Sequence, residues 1–349
     1  MADKKEIFKE LGKIAIRGVR KVAPYIVAAE VYTKAFYKRT QTDTFFLFKK
    51  EQFPSLIAEK ETFLNNEGKK LTGYFYHYDK YDASKVIIFA HGYGNGHRRY
   101  LDLINCLCKN GLLVFSYDLT GFDESEGEGI RSFPQAIIDL SQAISFVQTY
   151  SKHSGKDIYL CGHSMGGYAV GCNLGIHSDI KKAVIISGFN QSAELIKAHG
   201  EEWIGPDAAD VVKYINAYEE EFFGKYASYS VLDGLRAAKD TRVLIIHSKD
   251  DQTVPYNASY ALYYREFKDN PHFSFIDYKD RGHGTIYQSK EGRNYYEKQV
   301  KEYRKYCKDN PHLSDEEKNA YIEANVDMNR WLDLVDKSLL DKVVSFIRQ

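Results

Sequence analysis

The chain has 349 residues, of which 44% are hydrophobic and 28% charged, the balance of an ordinary soluble globular protein. Lys+Arg and Asp+Glu both number 48, so no global field favours nucleic acid, and no nucleic-acid partner is expected. Five scattered cysteines, an odd number, favour a reducing and therefore cytoplasmic setting.

Residues 1–40 carry ten Lys/Arg against four Asp/Glu. Ile7, Leu11, Ile14, Val19, Val22 and Ile26 recur at near-helical spacing, interrupted by Pro24. This arm, taken as residues 1–50, has two readings. It is a basic amphipathic helix making peripheral contact with an anionic membrane surface, or a helix docked on the protein's own body with a solvated basic face. No run reaches 18 apolar residues, so no membrane span is expected.

Beyond the arm, Glu61–Leu64 and Leu71–Tyr78 flank Asn65-Asn-Glu-Gly68, a hairpin signal. Strands and helices then alternate. Strands are expected at Val86–Ala90, Leu112–Tyr117, Asp157–Cys161, Ala183–Ser187, Arg242–His247 and Phe273–Asp277. Helices are expected at Tyr100–Lys109, Phe133–Tyr150 and Trp331–Ile347. Short β-branched runs between helices imply an α/β fold with a mostly parallel central sheet covered on both faces. Cys106 and Cys108 form a lone C-x-C in a helical pattern without further ligands nearby, so core packing is expected and no metal.

The stretch "CGHSMGG" places Ser164 between a buried strand and a small-residue helix. A nucleophile elbow needs that layout to present a hydroxyl above a sheet. A serine is a poor nucleophile until an adjacent base, oriented by a third group, takes its proton. Both partners are available after later strands. His283 lies in a glycine-flanked loop after Phe273–Asp277, and Asp250 and Asp251 follow Arg242–His247. Either aspartate can serve as acceptor for His283. An oxyanion hole needs two backbone N–H groups, for which Met165, after the serine, and Tyr93, in "HGYGNG", are the candidates. The same glycine-rich turn has a dinucleotide-site reading, but the third glycine position is His97, so no cofactor is expected.

Together "FAHGYG", "SYDLTGFDESEG", "CGHSMGG", "IIHSKDDQTVP" and "RGHG" resemble the α/β-hydrolase superfamily, most closely serine hydrolases of the monoglyceride-lipase, lysophospholipase and S33-aminopeptidase type. The resemblance covers about residues 60–285 and the last helix. It implies a Ser164–Asp251–His283 triad, the acid lying three residues before the valine of the family's H-G-x-x-D-x-x-V-P element. It further implies a serine esterase acting through an acyl-enzyme on a small-molecule ester or lipid, with no cofactor. His163, Asp118 and Ser125 would then support structure, and His91 would order the oxyanion loop. Two residues depart from the family pattern, Ser248 and Asp123, where glycine is usual. The resemblance divides the chain into a hydrolase core at 51–189 and 241–349 and a helical cap at 190–240, whose Trp203, Phe222 and Phe223 are candidate pocket residues. A further insertion, about 286–328 and rich in tyrosine, either flanks the active-site mouth or covers an outer face. Peptidase or thioesterase chemistry, and a non-enzymatic binding protein of the same fold, are the alternative readings.

Overall fold

The structure is a computed structural model that describes residues 24–349 apart from 43, 46, 150–151 and 205–207, with no side chain described at 24–27, 31 or 202–204. Most of the periodic pattern in the basic arm therefore lies outside the described residues. What is described begins with helix α1, Pro24–Phe36.

Eight strands form one sheet: β1 Ile57–Leu64, β2 Lys70–His77, β3 Lys85–Ala90, β4 Val114–Tyr117, β5 Asp157–His163, β6 Lys182–Ile186, β7 Arg242–Ser248 and β8 Phe273–Tyr278. Their order is β1-β2-β4-β3-β5-β6-β7-β8. The first two pairings are antiparallel, and β4 through β8 run parallel. β1 starts four residues before the expected hairpin arm. Glu59 and Lys60 hide it from a search for apolar alternation, and such charges suit an edge strand because they discourage further pairing.

The parallel strands are nearly continuous apolar runs because both faces are covered. Alternate residues serve opposite layers. Val86, Ile88 and Ala90 enter one core with helices α3 (Pro134–Thr149) and α4 (Met165–Asn173). Ile87 and Phe89 enter the other with α2 (Leu101–Lys109) and the C-terminal helix.

Between β6 and β7 the chain forms the helices α5 (Ser192–Ile204), α6 (Ala208–Phe223) and α7 (Val231–Ala237). α1 packs against α6, so the described part of the arm is docked on the body. After β8 come α9 (Lys290–Asp309) and α10 (Asp315–Asn325), α8 (Tyr260–Phe267) having preceded that strand. Ser314 and Glu317 form the capping box of α10. Tyr287, Tyr295 and Tyr303 belong to the second core, where Tyr303 stacks on Phe45 at 5.1 Å. These tyrosines are thus packed in the core layer on the α2 side of the sheet.

The single terminal helix expected at Trp331–Ile347 is two helices, α11 (Met328–Asp333) and α12 (Lys337–Arg348). Val335 bridges to Gln288 between them, and Asp336 caps α12 by accepting from the Leu339 N–H. Apolar residues on both sides of the break conceal it in the pattern. Lys182 ties α12 to β6, its Nζ donating to the carbonyls of Phe346 and Ile347 at 3.0 Å each.

Candidate active site

Ser164 occupies a turn between β5 and α4 with φ 58° and ψ −119°. A left-handed φ is costly for a residue with a Cβ, and the fold sustains it by pinning the Ser164 N–H to the Ile186 carbonyl at 2.8 Å. The surrounding glycines are steric necessities. A Cβ on Gly166 would lie 2.0 Å from the Ala90 carbonyl oxygen. That contact also shows how closely the elbow approaches the end of β3.

His283 reaches the serine from the loop after β8. Its Nε2 is 2.9 Å from Ser164 Oγ and its Nδ1 is 2.7 Å from Asp251 Oδ2. Asp251 is buried, and its Oδ1 accepts from the N–H groups of Thr253 and Val254 at 2.8 Å each. Burial pushes its carboxyl pKa up, but the charge and hydrogen bond of His283, aided by His247 and the loop N–H groups, hold it below the usual value. The acceptor opposite His283 is thus kept ionised. His247 stays close by, donating from Nε2 to the Val254 carbonyl at 3.0 Å.

The adjacent Asp250 faces another way. Its Oδ1 accepts from Ser248 Oγ at 2.5 Å and from the Gly282 N–H at 2.9 Å. Ser248 Oγ in turn accepts the Arg281 N–H at 2.9 Å. The serine that replaces the usual glycine here fastens the end of β7 to the loop bearing His283.

The loop 91–100 lies on the other side of Ser164. A Cβ on Gly92 would lie 3.2 Å from the Ser164 Cβ. His91 is fully buried, with Nε2 accepting the Leu119 N–H at 3.0 Å and Nδ1 at 2.9 Å from the Gly92 carbonyl. One nitrogen accepts, so the other carries the proton and donates. Burial lowers the His91 pKa, consistent with a neutral ring. Holding the Gly92 carbonyl also holds the Tyr93 N–H, because both belong to one planar trans peptide and point in opposite directions. Met165 is the first residue of α4, so its N–H is among those lacking an intrahelical acceptor.

Two residues not anticipated from the sequence complete the frame. Tyr100 accepts the Gly92 N–H at 3.2 Å, and its hydroxyl lies 3.0 Å from His163 Nδ1. His163 Nε2 is 3.0 Å from the His283 carbonyl. This chain links the loop 91–100 to the backbone of His283. Thr42 is the second, and it contacts Asp123 and Gly96. No local motif marks either one. Asp118 accepts from the backbone and Nδ1 of His97 and from Glu124 N–H, and Ser125 donates to the Asp118 carbonyl. Burial opposes ionisation of Asp118, but His97 and His91 bring its pKa to about 2.

Of the three candidate pocket residues, Phe222 is placed differently from expectation. Phe222 is 43% exposed on the outer face of α6, stacked on Tyr218 at 5.7 Å, so it stands on the surface and not in a pocket. Phe223 is buried. The side chain of Trp203 lies outside the described residues. A shallow depression with both apolar (Phe189, Leu195, Val254) and polar (Asn190, Gln191, Glu194) lining lies between α5 and the Asp251 loop.

The fold superposes on solved structures. An esterase from Pyrococcus furiosus, Pf2001, superposes with a TM-score of 0.54 over 77% of this chain and 98% of that one, at 20% identity. This is an α/β-hydrolase fold. Residues 81–205 match the family model described as serine aminopeptidase, S33. Rat monoglyceride lipase is 31% identical over 136 residues, 38% of this chain and 41% of that protein. Human monoglyceride lipase is 37% identical over 86 residues, 24% of this chain and 28% of that protein. The matches thus span less than half the length of these curated relatives. Among the described residues, no helix is long and apolar enough to cross a membrane.

Proposed function

We propose that the chain is a serine hydrolase that cleaves carboxylic esters, with Ser164 as nucleophile, His283 as proton carrier and Asp251 as its orienting carboxylate. The observation that carries this reading is the unbroken sequence of contacts from Asp251 Oδ2 through His283 to Ser164 Oγ, at 2.7 and 2.9 Å. His283 Nε2 takes the Oγ proton as Oγ bonds to the ester carbonyl carbon. The carbonyl electron pair moves onto oxygen, where the N–H groups of Tyr93 and Met165 receive the negative charge. Collapse breaks the bond to the alkoxy group, which leaves as an alcohol with the proton from His283. Water then repeats the cycle on the acyl-serine, releasing a carboxylic acid and restoring Ser164.

Lipid esters are favoured among substrates by the partial likeness to monoglyceride lipases. Peripheral membrane contact belongs to the same reading. Tyr214, Tyr218 and Phe222 are 39%, 39% and 43% exposed at intervals of four on α6, the helix that packs against α1. Pelleting of the full chain with anionic liposomes tests that contact; recovery of all protein in the supernatant contradicts it.

A fluorophosphonate probe tests the nucleophile. The chain should be labelled and Ser164→Ala should not. A folded parent chain that takes up no probe would favour a binding protein of this fold over an enzyme.

A further inference from the structure

The segment that leaves α1 is tied along its length to the loops around the candidate site. Phe36 packs its ring on Tyr93 at 5.9 Å, and the Tyr93 hydroxyl donates to the Ala35 carbonyl. Arg39 donates to the carbonyls of Asp123, Ser125 and Gly127 at 2.8, 2.9 and 2.7 Å. Thr40 exchanges backbone bonds with the same loop, its N–H donating to Gly121 and its carbonyl accepting from Asp123.

Thr42 closes the strap. Its N–H and its hydroxyl donate to the two carboxylate oxygens of Asp123, both at 2.6 Å, and the same hydroxyl accepts the Gly96 N–H at 2.6 Å. Both side chains are buried. Asp123 sits at φ 33°, where a glycine would be unstrained. The carboxylate supplies what glycine cannot, an acceptor for both donors of Thr42. Gly96 fits this corner because it lacks a side chain. A Cβ there would lie 2.4 Å from Asp123 Oδ2 and 2.5 Å from Asp118 Oδ1.

Gly96 and Tyr93 are in one glycine-rich loop, and the strap holds that loop at both places. We propose that residues 35–42 are a positioning element for the oxyanion-side loop, with Thr42 as the key positioning residue acting through Gly96 and Asp123. The inference rests on the reading of Ser164 as an acyl-transfer nucleophile. A loop with glycines at 92, 94 and 96 samples many backbone states unless it is anchored. An N–H that is misaimed loses its bond to an oxygen that becomes charged only in the transition state, so kcat falls while KM changes little.

The test compares Thr42→Val, which keeps shape and removes the hydroxyl, with Thr42→Ser, which keeps the hydroxyl, in the full chain. Hydrolysis of p-nitrophenyl butyrate should show kcat at least about tenfold lower in Thr42→Val with KM nearly unchanged, and recovery in Thr42→Ser. The rate of Ser164 labelling by a fluorophosphonate should fall in parallel, because the phosphoryl oxygen enters the same hole. A Thr42→Val chain with the parent's kcat and labelling rate overturns the strap's role alone. A parent chain that neither hydrolyses the ester nor labels overturns the nucleophile reading and the strap with it. Should Thr42→Val fail to fold, Tyr93→Phe removes only the bond to Ala35 and probes the loop from its other anchor. Lower kcat is expected there as well, and an unchanged kcat overturns the proposal.

Discussion

The Gly282 N–H donates to Asp250 Oδ1 at 2.9 Å, one residue before the imidazole that Asp251 holds. Neighbouring carboxylates therefore have separate tasks, one fastening the loop and one facing the ring. Asp251→Asn is expected to lower kcat by roughly 10⁴-fold, since an amide disfavours the tautomer that keeps Nε2 free to accept the Ser164 proton. Asp250→Asn retains an oxygen acceptor for Ser248 and Gly282 and should keep most of the activity. Steady-state kinetics on both variants check the division; equal losses contradict it.

His91 joins the Leu119 N–H to the Gly92 carbonyl inside the core. His91→Phe leaves both groups unpaired, each at a cost of about 1–3 kcal/mol. The expected outcome is a lower melting temperature together with a kcat loss larger than any change in KM. A variant that is destabilised but has the parent's kcat would show that the ring only supports packing.

Glu219, on α6, is buried and joins the cap to the core. Its Oε1 accepts from Ser192 Oγ at 2.6 Å and also from Ser132 Oγ. Burial raises its pKa to about 7, against 4.5 for the free side chain. Between those two values the unfolded chain has released this proton and the folded chain retains it, so this group makes stability fall as pH rises from about 4.5 to about 7. Above that window the full penalty is present. Glu219→Gln, which stays neutral, should be more stable than the parent at pH 8, with the advantage shrinking as pH is lowered to 5. Denaturant titrations at the two pH values measure it, and an advantage that does not vary with pH contradicts it.

Two glycines near the triad should respond oppositely to alanine. At Gly166 the added carbon meets backbone oxygens of Ala90 and His91 at 2.0 and 2.8 Å, which no rotamer change relieves. Gly166→Ala should therefore lose soluble folded protein or several kcal/mol of stability. At Gly284, next to His283, nothing lies within 4 Å and the backbone is not left-handed. Gly284→Ala should be within about 0.5 kcal/mol of the parent. Paired thermal melts decide both.

The parallel strands were legible because each is a short apolar run ended by glycine or polar residues, and their carboxyl ends locate Ser164, Asp251 and His283. The choice between Asp250 and Asp251 was open in the residues themselves, since both follow β7. What separates them is the capture of one Asp251 oxygen by the N–H groups of Thr253 and Val254, a loop geometry that no periodicity encodes. The break between α11 and α12 was hidden because Leu334 and Val335 continue an apolar pattern through it. The link from Thr42 to Asp123 spans 81 positions, and a strained aspartate reads in sequence as a mere departure from glycine. Phe222 misled because an aromatic on a cap helix reads the same whether it faces inward or outward.

The central claim is that Ser164 is an ester-cleaving nucleophile. Hydrolysis of p-nitrophenyl esters from acetate to palmitate, by the full chain and by Ser164→Ala, tests it most directly. The account predicts turnover that disappears in Ser164→Ala while the variant remains folded. Turnover that survives in Ser164→Ala, or a folded parent chain that cleaves none of these esters, would contradict it.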